Sequence, residues 1–338
     1  MVGGLASAAG DHELVAFAPT GPRGRRNVAA ALAEIPIEKR IWTLPGAYYW
    51  RKLWSLAGRP PVERFAGPLD VFHFSDWMYP AQRGGLRTTT LHDLVPLHFR
   101  ELVHPRTYRL HTAKLHNAVR TCDLIFANSQ FTADDLHRQL AFPRERIHVA
   151  YPGIDARFTP AGPRADMGAP YLLAVATLEP RKNLEALVDA FAVLRQAHPG
   201  LRLAVVGAEP PSGGPRASSL DTDGVSLLGF VSDDELARLY RGAKAFAYPS
   251  IFEGFGMPIV EAMASGTPVV ASNHSSLDEA SGGIALRAHP GDPNAFAAAI
   301  EAAFELDDAR LEAGVRHASR FTWQACGEAV LRGYESVL

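Results

Sequence analysis

Short apolar runs that alternate with helix-forming segments restrict the fold of this chain more than any other feature of its sequence. Each run is followed by a polar or glycine-bearing turn and then by a pattern of helical period, which indicates βα units and a parallel sheet. The candidate strands are HELVAFA, DVFHFSD, RTTTLHD and CDLIFANS in the first half, and YLLAVATL, LRLAVVG, VSLLGF, KAFAYPS and TPVVAS in the second. Between the two sets lies YPGIDARFTPAGPRADMGAP, which is typical of an interdomain linker. The sequence therefore predicts two doubly wound α/β domains.

Length and composition agree with two globular domains. A chain of 338 residues exceeds one ordinary hydrophobic core, and 47% hydrophobic with 21% charged residues excludes disordered and collagen-like classes. The net charge of −2 gives no global reason to bind nucleic acid, so no nucleic-acid partner is expected. Cys122 and Cys326 lie far apart and outside any zinc-ligand spacing, which favours a reducing, cytoplasmic setting and no metal site. No apolar run approaches the roughly 18 residues of a membrane span, and MVGGLASAAGDH lacks the features of a signal peptide.

A basic pair follows the first strand of the second domain. The strand YLLAVATL is followed by EPRKN and then by the helical pattern LEALVDAFAVLRQ, for which Asn183 is the expected N-cap. Ligands of open parallel sheets bind outside the carboxyl ends of the strands, where helix N-termini direct free N–H groups. Arg181 and Lys182 are thus placed to hold an anion, although a solvated loop with two surface cations would have the same sequence. Ser232 and Glu235 are interpreted as a structural capping box.

Two carboxylates bracket the segment EGFGMPIVE. Glu253 is expected in the loop after KAFAYPS and Glu261 in the first turns of a helix that starts near Pro258, on the same rim as the basic pair. Gly254 and Gly256 lack the Cβ that would keep backbone N–H groups from a ligand. Carboxylates only accept hydrogen bonds and therefore suit a ligand with several hydroxyls. Taken singly, Glu261 could be an acid that interacts with the helix dipole, and Glu253 could be an exposed loop residue.

Together these residues indicate a nucleotide-sugar site. The expected ligand lies across the rim, with two acids at one end and two bases at the other. Cations would hold its diphosphate and carboxylates its sugar hydroxyls.

The segment EGFGMPIVEAMASGTPVV resembles the E-x7-E signature of the GT4 family of retaining glycosyltransferases, which have the GT-B fold of two Rossmann-like domains facing a cleft. LEPRKNLEALVDAF, LLGFVSDDELARLYRGAKAFAYPS, RTTTLHDLVPL and CDLIFANSQFTADDL also resemble that family, in the expected order. The resemblance implies an acceptor-side domain over 1–155 and a nucleotide-sugar-binding domain over 156–318. It also implies a C-terminal helix over 319–338 that crosses back to the first domain, with Trp323 and Tyr334 in packing roles.

The resemblance implies roles for particular residues. Glu253 would hold hydroxyls of the donor sugar, and Glu261 the ribose of the nucleotide. Arg181 and Lys182 would bind the donor diphosphate, while His92 of LHDL would reach the donor sugar from the first domain. A histidine that ends a buried strand is also commonly a packed residue.

The remaining donor contacts implied by the resemblance surround the base and the sugar. Phe230 and Val231, in the loop after VSLLGF, would meet the base. Backbone groups of Gly254, Phe255 and Gly256 would approach the sugar and the phosphate.

The reaction implied is hexosyl transfer from a nucleotide sugar to a hydroxyl of a glycan or lipid-linked acceptor, with retention and an α-linkage. The form LEPRKN indicates GDP-mannose as the donor. The sequence has no DxD motif at a strand end, so no metal and no cofactor are expected, with the nucleotide sugar as co-substrate.

The N-terminus departs from the family pattern. Members usually begin with a strand, a glycine-rich loop and a helix, whereas MVGGLASAAG resembles only the tail of that helix. The opening strand belongs near the centre of the sheet, so its absence is expected to leave a gap between neighbouring strands.

The segment WTLPGAYYWRKLWSLAGRPPVERF interleaves aromatic and basic residues. Three interpretations are open: docking on the inner membrane surface where a lipid-linked acceptor lies, stacking along a sugar cleft, or a half-buried helix whose aromatics fill the core.

Functions of other classes are less well supported. A dinucleotide-dependent oxidoreductase needs G-x-G-x-x-G after a strand, and no strand here has it. A nonenzymatic nucleotide-sugar-binding protein and a sugar-nucleotide epimerase on the same fold stay as alternatives.

Overall fold

The computed structural model describes residues 1–74, 78–208, 220 and 222–338, without the side chains of Tyr48, Leu56 and Arg106. The chain forms two compact units, the first built from residues 1–97, 105–153 and 322–338, and the second from residues 98–104 and 154–321. Residues 98–104, which the sequence places in the first domain, are thus part of the second unit. The last two residues of the predicted strand DVFHFSD lie outside the described residues.

The described part of the chain contains twelve strands and fourteen α-helices. The strands are β1 (Val15–Thr20), β2 (Glu38–Thr43), β3 (Val71–Phe74), β4 (Leu86–Leu91), β5 (Leu124–Ala127), β6 (Ile147–Val149), β7 (Tyr171–Val175), β8 (Arg202–Val206), β9 (Val225–Gly229), β10 (Ala245–Tyr248), β11 (Val269–Ser272) and β12 (Leu286–Ala288). The helices are α1 (Val2–Ala8), α2 (Pro22–Ala31), α3 (Ala47–Ala57), α4 (Glu63–Ala66), α5 (Val95–His98), α6 (Pro105–Thr121), α7 (Gln130–Leu140), α8 (Leu184–Ala197), α9 (Asp233–Gly242), α10 (Met257–Ala264), α11 (Ser275–Ser281), α12 (Pro293–Ala303), α13 (Asp308–Ala318) and α14 (Trp323–Glu335).

All nine predicted strands are present, and three further strands were missed. Every pairing between the strands of the described residues is parallel, which confirms the predicted α/β class. The missed strands are β2, β6 and β12. The first of them, EKRIWT, begins with three charged residues, so its sequence lacks the apolar run by which the others were recognised.

The sheet of the first unit is interrupted. Among the described residues, its strands form a four-stranded sheet in the order β3-β4-β5-β6 and a separate pair β1-β2, so the expected gap between neighbouring strands is present. Side chains connect the two sheets, because Phe17 of β1 lies 6.0 Å from Trp54 and 6.2 Å from Phe65. These aromatic rings pack in one cluster with Phe74 of β3. Aromatic packing thus replaces a backbone ladder at this place.

The aromatic segment that begins at Trp42 is divided between two elements. Trp42 lies in β2 and is therefore not part of a helix. In α3, Trp54 is buried and its indole N–H donates to the backbone carbonyl of Pro60, as the core-filling interpretation requires. Tyr49 and Leu53 face outward, with 75% and 66% of their surfaces exposed. The helix is thus half-buried, and exposed Lys52 shares its outer side with Tyr49 and Leu53.

The C-terminal helix α14 packs on α1 within the first unit. A Cβ built on Gly327 would lie 2.2 Å from the backbone of Gly4, so the two helices approach at backbone contact distance. Tyr334 is buried, and its hydroxyl lies 2.7 Å from Nδ1 of His73 on β3. Trp323, in contrast, is partly exposed, and its predicted packing role is only partly correct.

The second unit is built around one six-stranded parallel sheet in the order β12-β11-β10-β7-β8-β9. Two hydrophobic clusters cover its two faces. The chain runs outward from β7 through β8 to β9 and then returns to the other side of β7 with β10. The order therefore reverses between β7 and β10, and the carboxyl ends of these strands form the topological switch point at which open α/β sheets bind ligands.

Two local predictions for this unit have mixed outcomes. The linker over 151–170 contains no helix or strand, as predicted. The hydroxyl of Ser232 accepts a hydrogen bond from the backbone N–H of Glu235 at 3.2 Å. The reciprocal bond of a capping box is absent from the described contacts, since the Glu235 carboxylate instead accepts from Arg238.

Within the described residues, no helix combines the length and the apolar character needed to cross a bilayer.

Candidate functional site

The candidate site is formed by the loops that leave β7 and β10. The two strands pair in parallel, with Leu172 opposite Ala245 and Leu173 opposite Phe246, so their carboxyl ends lie side by side. The backbone N–H of Ile251 donates to the carbonyl of Arg181 at 2.9 Å and joins the two loops directly. Residues about 70 positions apart in the sequence thereby become neighbours.

Three of the predicted site residues form one ion cluster. The Glu253 carboxylate accepts from Nζ of Lys182 at 2.6 Å through Oε1 and from Nη1 of Arg181 at 3.0 Å through Oε2. Only 7% of Glu253 and 8% of Lys182 is exposed. The alternatives of a solvated loop with two surface cations and of an exposed loop acid are therefore wrong. The Lys182 ammonium also donates to the Tyr248 hydroxyl at 3.2 Å.

The cluster corrects the expected arrangement of charges. Two acids at one end and two bases at the other would have kept Glu253 away from the basic pair. The structure instead has the first acid between the two cations, because the loops that carry them leave adjacent strands. In the free protein, each charge of this cluster is thus balanced by a neighbour.

The electrostatic surroundings keep Glu253 ionised. Burial alone raises the pKa of its carboxyl, but the charges of Lys182 and Arg181 and the hydrogen bond from Lys182 outweigh burial and hold that pKa below its usual value. Burial lowers the pKa of Lys182, against the opposing charge of Glu253. At a separation of 2.6 Å we regard the charged pair as the favoured state.

Glu261, the second acid of the motif, lies in different surroundings. It lies on α10, where Oε2 accepts a hydrogen bond from the Tyr240 hydroxyl at 3.0 Å. The pKa of Glu261 is raised to about 7, chiefly by burial and also by the nearby carboxylates of Asp233 and Asp155, against the hydrogen bond from Tyr240. The two glutamates of one motif thus differ in protonation, since Glu253 is charged and Glu261 is close to half-protonated at neutral pH.

The turn between the two acids is fixed by packing. Gly256 has φ of +104°, and a Cβ there would lie 2.8 Å from Cδ2 of Leu277, so glycine is needed for the fold itself. The Phe255 ring is buried 5.3 Å from Phe321, which leaves only the backbone of Phe255 for a ligand. The Ser276 hydroxyl donates to the backbone carbonyl of Glu253 at 2.8 Å. With buried Gly254, these residues form a rigid platform next to the ion cluster.

Asn183 fixes the basic pair in a way that the sequence did not show. It is the N-cap residue of α8, as predicted, but its side chain makes no capping hydrogen bond. Its Nδ2 donates instead to the backbone carbonyls of Pro249 and Pro290 at 3.2 and 2.7 Å. Asn183 also adopts φ of +55°, a conformation that asparagine tolerates better than most residues. The basic turn is thus anchored to the loops after β10 and β12.

The predicted base-binding loop follows β9, at the same edge of the sheet. Phe230 is the most exposed of the large hydrophobic residues in the described chain, at 87%. Val231 is partly buried and packs against the core, so its side chain is less available to a ligand than that of Phe230. The flat face of an exposed ring at this edge can stack on a planar base.

His92 directly follows β4 in the first unit, whereas the other predicted site residues lie in the second. Its side chain is exposed, but the surrounding protein lowers its pKa through desolvation, with Asp93 acting in the opposite direction. A neutral imidazole follows at physiological pH.

Sequence reasoning missed Tyr240 and Tyr248, whose hydroxyls contact Glu261 and Lys182. Tyr248 could have been noticed, because a strand that ends in tyrosine places a hydroxyl at the carboxyl edge of the sheet. Tyr240 lies inside a helix, and its sequence gives no sign of this contact.

Replacing Glu253 tests the ion cluster. Glu253→Gln is expected to lower the free energy of unfolding by about 3 kcal/mol at pH 7, because buried Lys182 and partly buried Arg181 lose their shared carboxylate. The folded-state pKa of Glu253 lies below its unfolded value of 4.5. The difference in unfolding free energy between Glu253→Gln and the parent protein should therefore have its full size above that value. It should shrink as the pH falls through the folded-state pKa. Urea unfolding at pH 7 and at acid pH measures both effects.

Glu179→Gln is the matched control, because Glu179 pairs with the same Arg181 at 2.9 Å but is more exposed. Its effect should stay below about 1 kcal/mol. Equal losses in the two variants, or a Glu253→Gln loss that does not change with pH, would contradict the cluster as described.

Comparison with known proteins shows which family the sequence matches. The family model described as Glycosyl transferases group 1 matches residues 155–318, and the one described as Glycosyltransferase Family 4 matches residues 3–158. O-antigen chain mannosyltransferase B of Escherichia coli is 30% identical over 283 residues, which cover 78% of this chain and 74% of that protein. D-inositol 3-phosphate glycosyltransferase of Segniliparus rotundus is 34% identical over 240 residues, 65% of this chain and 54% of that one, so the chain spans about half the length of this relative.

Solved structures show the same fold at low sequence identity. Sucrose-phosphate synthase from Thermosynechococcus elongatus has a TM-score of 0.69 at 21% identity, over 99% of this chain and 91% of that one. A glycosyltransferase from Rickettsia africae has a TM-score of 0.68 at 18% identity, over 99% and 93% of the two chains. The fold is that of the GT-B glycosyltransferases. Since the two family models together cover nearly the whole sequence and the Escherichia coli relative agrees with them, the chain belongs to the group 1, family 4 glycosyltransferases.

Proposed function

We propose that this glycosyltransferase moves a hexose from a nucleotide-diphosphate sugar to a hydroxyl of a glycan or lipid-linked acceptor, with retention and an α-linkage. The observation that supports this best is the ion cluster at the switch point of the second sheet. Arg181 and Lys182 carry two positive charges to the position where such sheets bind phosphate-bearing ligands. The acid between them can accept hydrogen bonds from sugar hydroxyls.

Donor binding would rearrange the cluster. A diphosphate brings negative charge to Arg181 and Lys182, which Glu253 neutralises in the free protein. Hydroxyls of the donor sugar would then donate to Glu253 and replace part of the bonding that it loses. Glu261 would meet the ribose, Phe230 would stack on the base, and the rigid backbone of Gly254, Phe255 and Gly256 would line the sugar and phosphate.

The two cations would also act in the transition state. As the bond between the anomeric carbon and the phosphate oxygen breaks, charge grows on the leaving diphosphate next to Arg181 and Lys182. We infer that this charge stabilisation needs no metal ion. His92 of the first unit would contact the donor sugar as a neutral imidazole.

Retention is explained by attack from the same face. The acceptor hydroxyl oxygen forms the new bond to the anomeric carbon on the side that the diphosphate leaves, and its proton passes to the departing phosphate oxygen. This route requires no carboxylate base. The low pKa of Glu253 supports it, because a carboxylate held between two cations is a weak base.

GDP-mannose is the proposed donor. The segment LEPRKN indicates this donor, and the Escherichia coli relative is a mannosyltransferase. GDP is therefore expected to stabilise the protein more than UDP or ADP at equal concentration in a thermal-shift measurement. A ligand at 100 times its Kd adds about 2.7 kcal/mol. A larger thermal shift with UDP or ADP would indicate a UDP-sugar or an ADP-sugar as the donor instead. No shift with any of the three nucleotides would count against nucleotide-sugar binding.

Lys182→Ala tests the proposed role of the cations. We expect kcat/KM for the donor to fall by at least about 10²-fold, because the charge acts mainly on the leaving diphosphate. Lys244→Ala is the matched control, since this exposed lysine precedes β10 at the opposite end of the strand. The measurement is initial-rate kinetics with saturating acceptor. Near-normal rates for Lys182→Ala would remove the charge-stabilisation argument.

We further propose that the protein acts in the cytoplasm and contacts the inner membrane surface through its N-terminal region. Residues 15–62 contain eight Lys and Arg against two Asp and Glu, a net charge of +6 in a chain whose total is −2. The outer side of α3 adds exposed Tyr49 and Leu53 to this basic region. Cationic and apolar groups together favour an anionic bilayer that carries a lipid-linked acceptor.

Charge reversal on α3 tests this contact. The double variant Arg51→Glu, Lys52→Glu is expected to lose most of its co-sedimentation with vesicles that contain anionic phospholipid, because about 1 kcal/mol of attraction is lost for each basic residue near the surface. Vesicles of neutral phosphatidylcholine are the control and should bind neither protein. Unchanged sedimentation of the double variant with anionic vesicles would exclude α3 as the docking element.

A further inference from the structure

We propose that Tyr240 is a positioning residue for the nucleotide half of the ligand. Its hydroxyl holds one oxygen of Glu261 and thereby presents the other oxygen to the vicinal hydroxyls of a ribose. This inference rests on the proposed function, since it takes Glu261 as the residue that meets the nucleotide.

The Tyr240 ring cannot easily move. It lies in α9 with no exposed surface, and the rings of Phe158 and Phe246 contact it edge-on at centroid distances of 5.8 and 5.4 Å. The Thr267 hydroxyl also donates to the Tyr240 backbone carbonyl at 2.7 Å. The phenol oxygen is therefore a fixed point, 3.0 Å from Oε2 of Glu261.

The carboxylate of Glu261 depends on this fixed point. In the described parts of the chain, the bond from Tyr240 is its single hydrogen bond, and no ion pair reaches it. One oxygen is thus held by the protein and the other can accept from a ligand. A carboxylate tethered at one oxygen meets two adjacent hydroxyls in a defined orientation, which lowers the entropy cost of binding.

The same contact sets the pH range of ligand binding. The groups that face Glu261 are the acids Asp233, at the start of α9, and Asp155, in the linker, together with the Tyr240 hydroxyl. Burial and the two acids favour the protonated carboxyl, Tyr240 favours the ionised form, and the balance of these effects is a pKa of about 7. Protonation removes acceptor capacity from the carboxylate. Nucleotide affinity is therefore expected to fall as the pH drops below about 7.

Two variants should move this pH dependence in opposite directions. Tyr240→Phe removes the group that favours ionisation, so the midpoint should rise by about one pH unit, with about tenfold weaker binding at pH 7.5. Asp233→Asn removes a charge that opposes ionisation and should lower the midpoint. The measurement is calorimetric titration with GDP, UDP and ADP between pH 6 and 8.5. In kinetics, the donor KM of Tyr240→Phe should rise while kcat stays within about twofold.

Tyr171→Phe is the matched control. This buried tyrosine of the same unit donates to the backbone carbonyl of Leu239 at 2.7 Å, so its replacement also removes a buried hydroxyl but leaves Glu261 untouched. It should change neither the affinity nor the midpoint. An equal loss in Tyr171→Phe would trace the effect to general destabilisation and overturn the inference, as would an unmoved midpoint in folded Tyr240→Phe.

A second measurement separates this inference from the proposed function. The Glu261 carboxyl can be titrated by carbon-13 NMR without ligand, assigned through Glu261→Gln, and its midpoint should rise in Tyr240→Phe. An unmoved titration overturns the positioning role. If the titration moves as expected but none of the three nucleotides binds, the contact is confirmed and the nucleotide-binding function fails.

Discussion

The parallel pairing of β7 with β10 is the constraint on which the candidate site depends. These strands are neighbours in the sheet although two further strands lie between them in the chain. Only this order brings the basic turn at Arg181 and Lys182 into contact with the acid at Glu253. The cluster is thus a product of topology first and of local sequence second.

The E-x7-E spacing separates two acids into two electrostatic environments. The first lies in a loop between two cations and the second on a helix, close to other acids. Burial raises the pKa of both carboxyls, and only at Glu253 do neighbouring cations outweigh burial. One carboxylate can therefore balance positive charge permanently, while the other responds to pH within the physiological range.

The sequence predicted the class of fold, nine of the strands and the edge of the sheet at which the site residues lie. These predictions succeeded because strands buried on both faces of a parallel sheet have continuous apolar sequences, such as those of β7 and β10, and because these runs alternate with helical patterns. Prediction failed where the outcome depends on tertiary partners. No local pattern encodes the contact of Glu253 with the basic pair or the bond from Tyr240 to Glu261. The same holds for the steric need for glycine at position 256, which arises from Leu277.

The interrupted sheet of the first unit has a consequence for how its parts open. Within the described residues, the β1-β2 pair has no backbone ladder to the strands β3-β6, and side-chain packing around Phe17 and Trp54 connects the two. Packing contacts are lost over a small separation, whereas a ladder must be broken bond by bond. Amide protons of β1 and β2 should thus exchange with solvent through local opening. Those of β4 and β5 should exchange only when the whole unit unfolds.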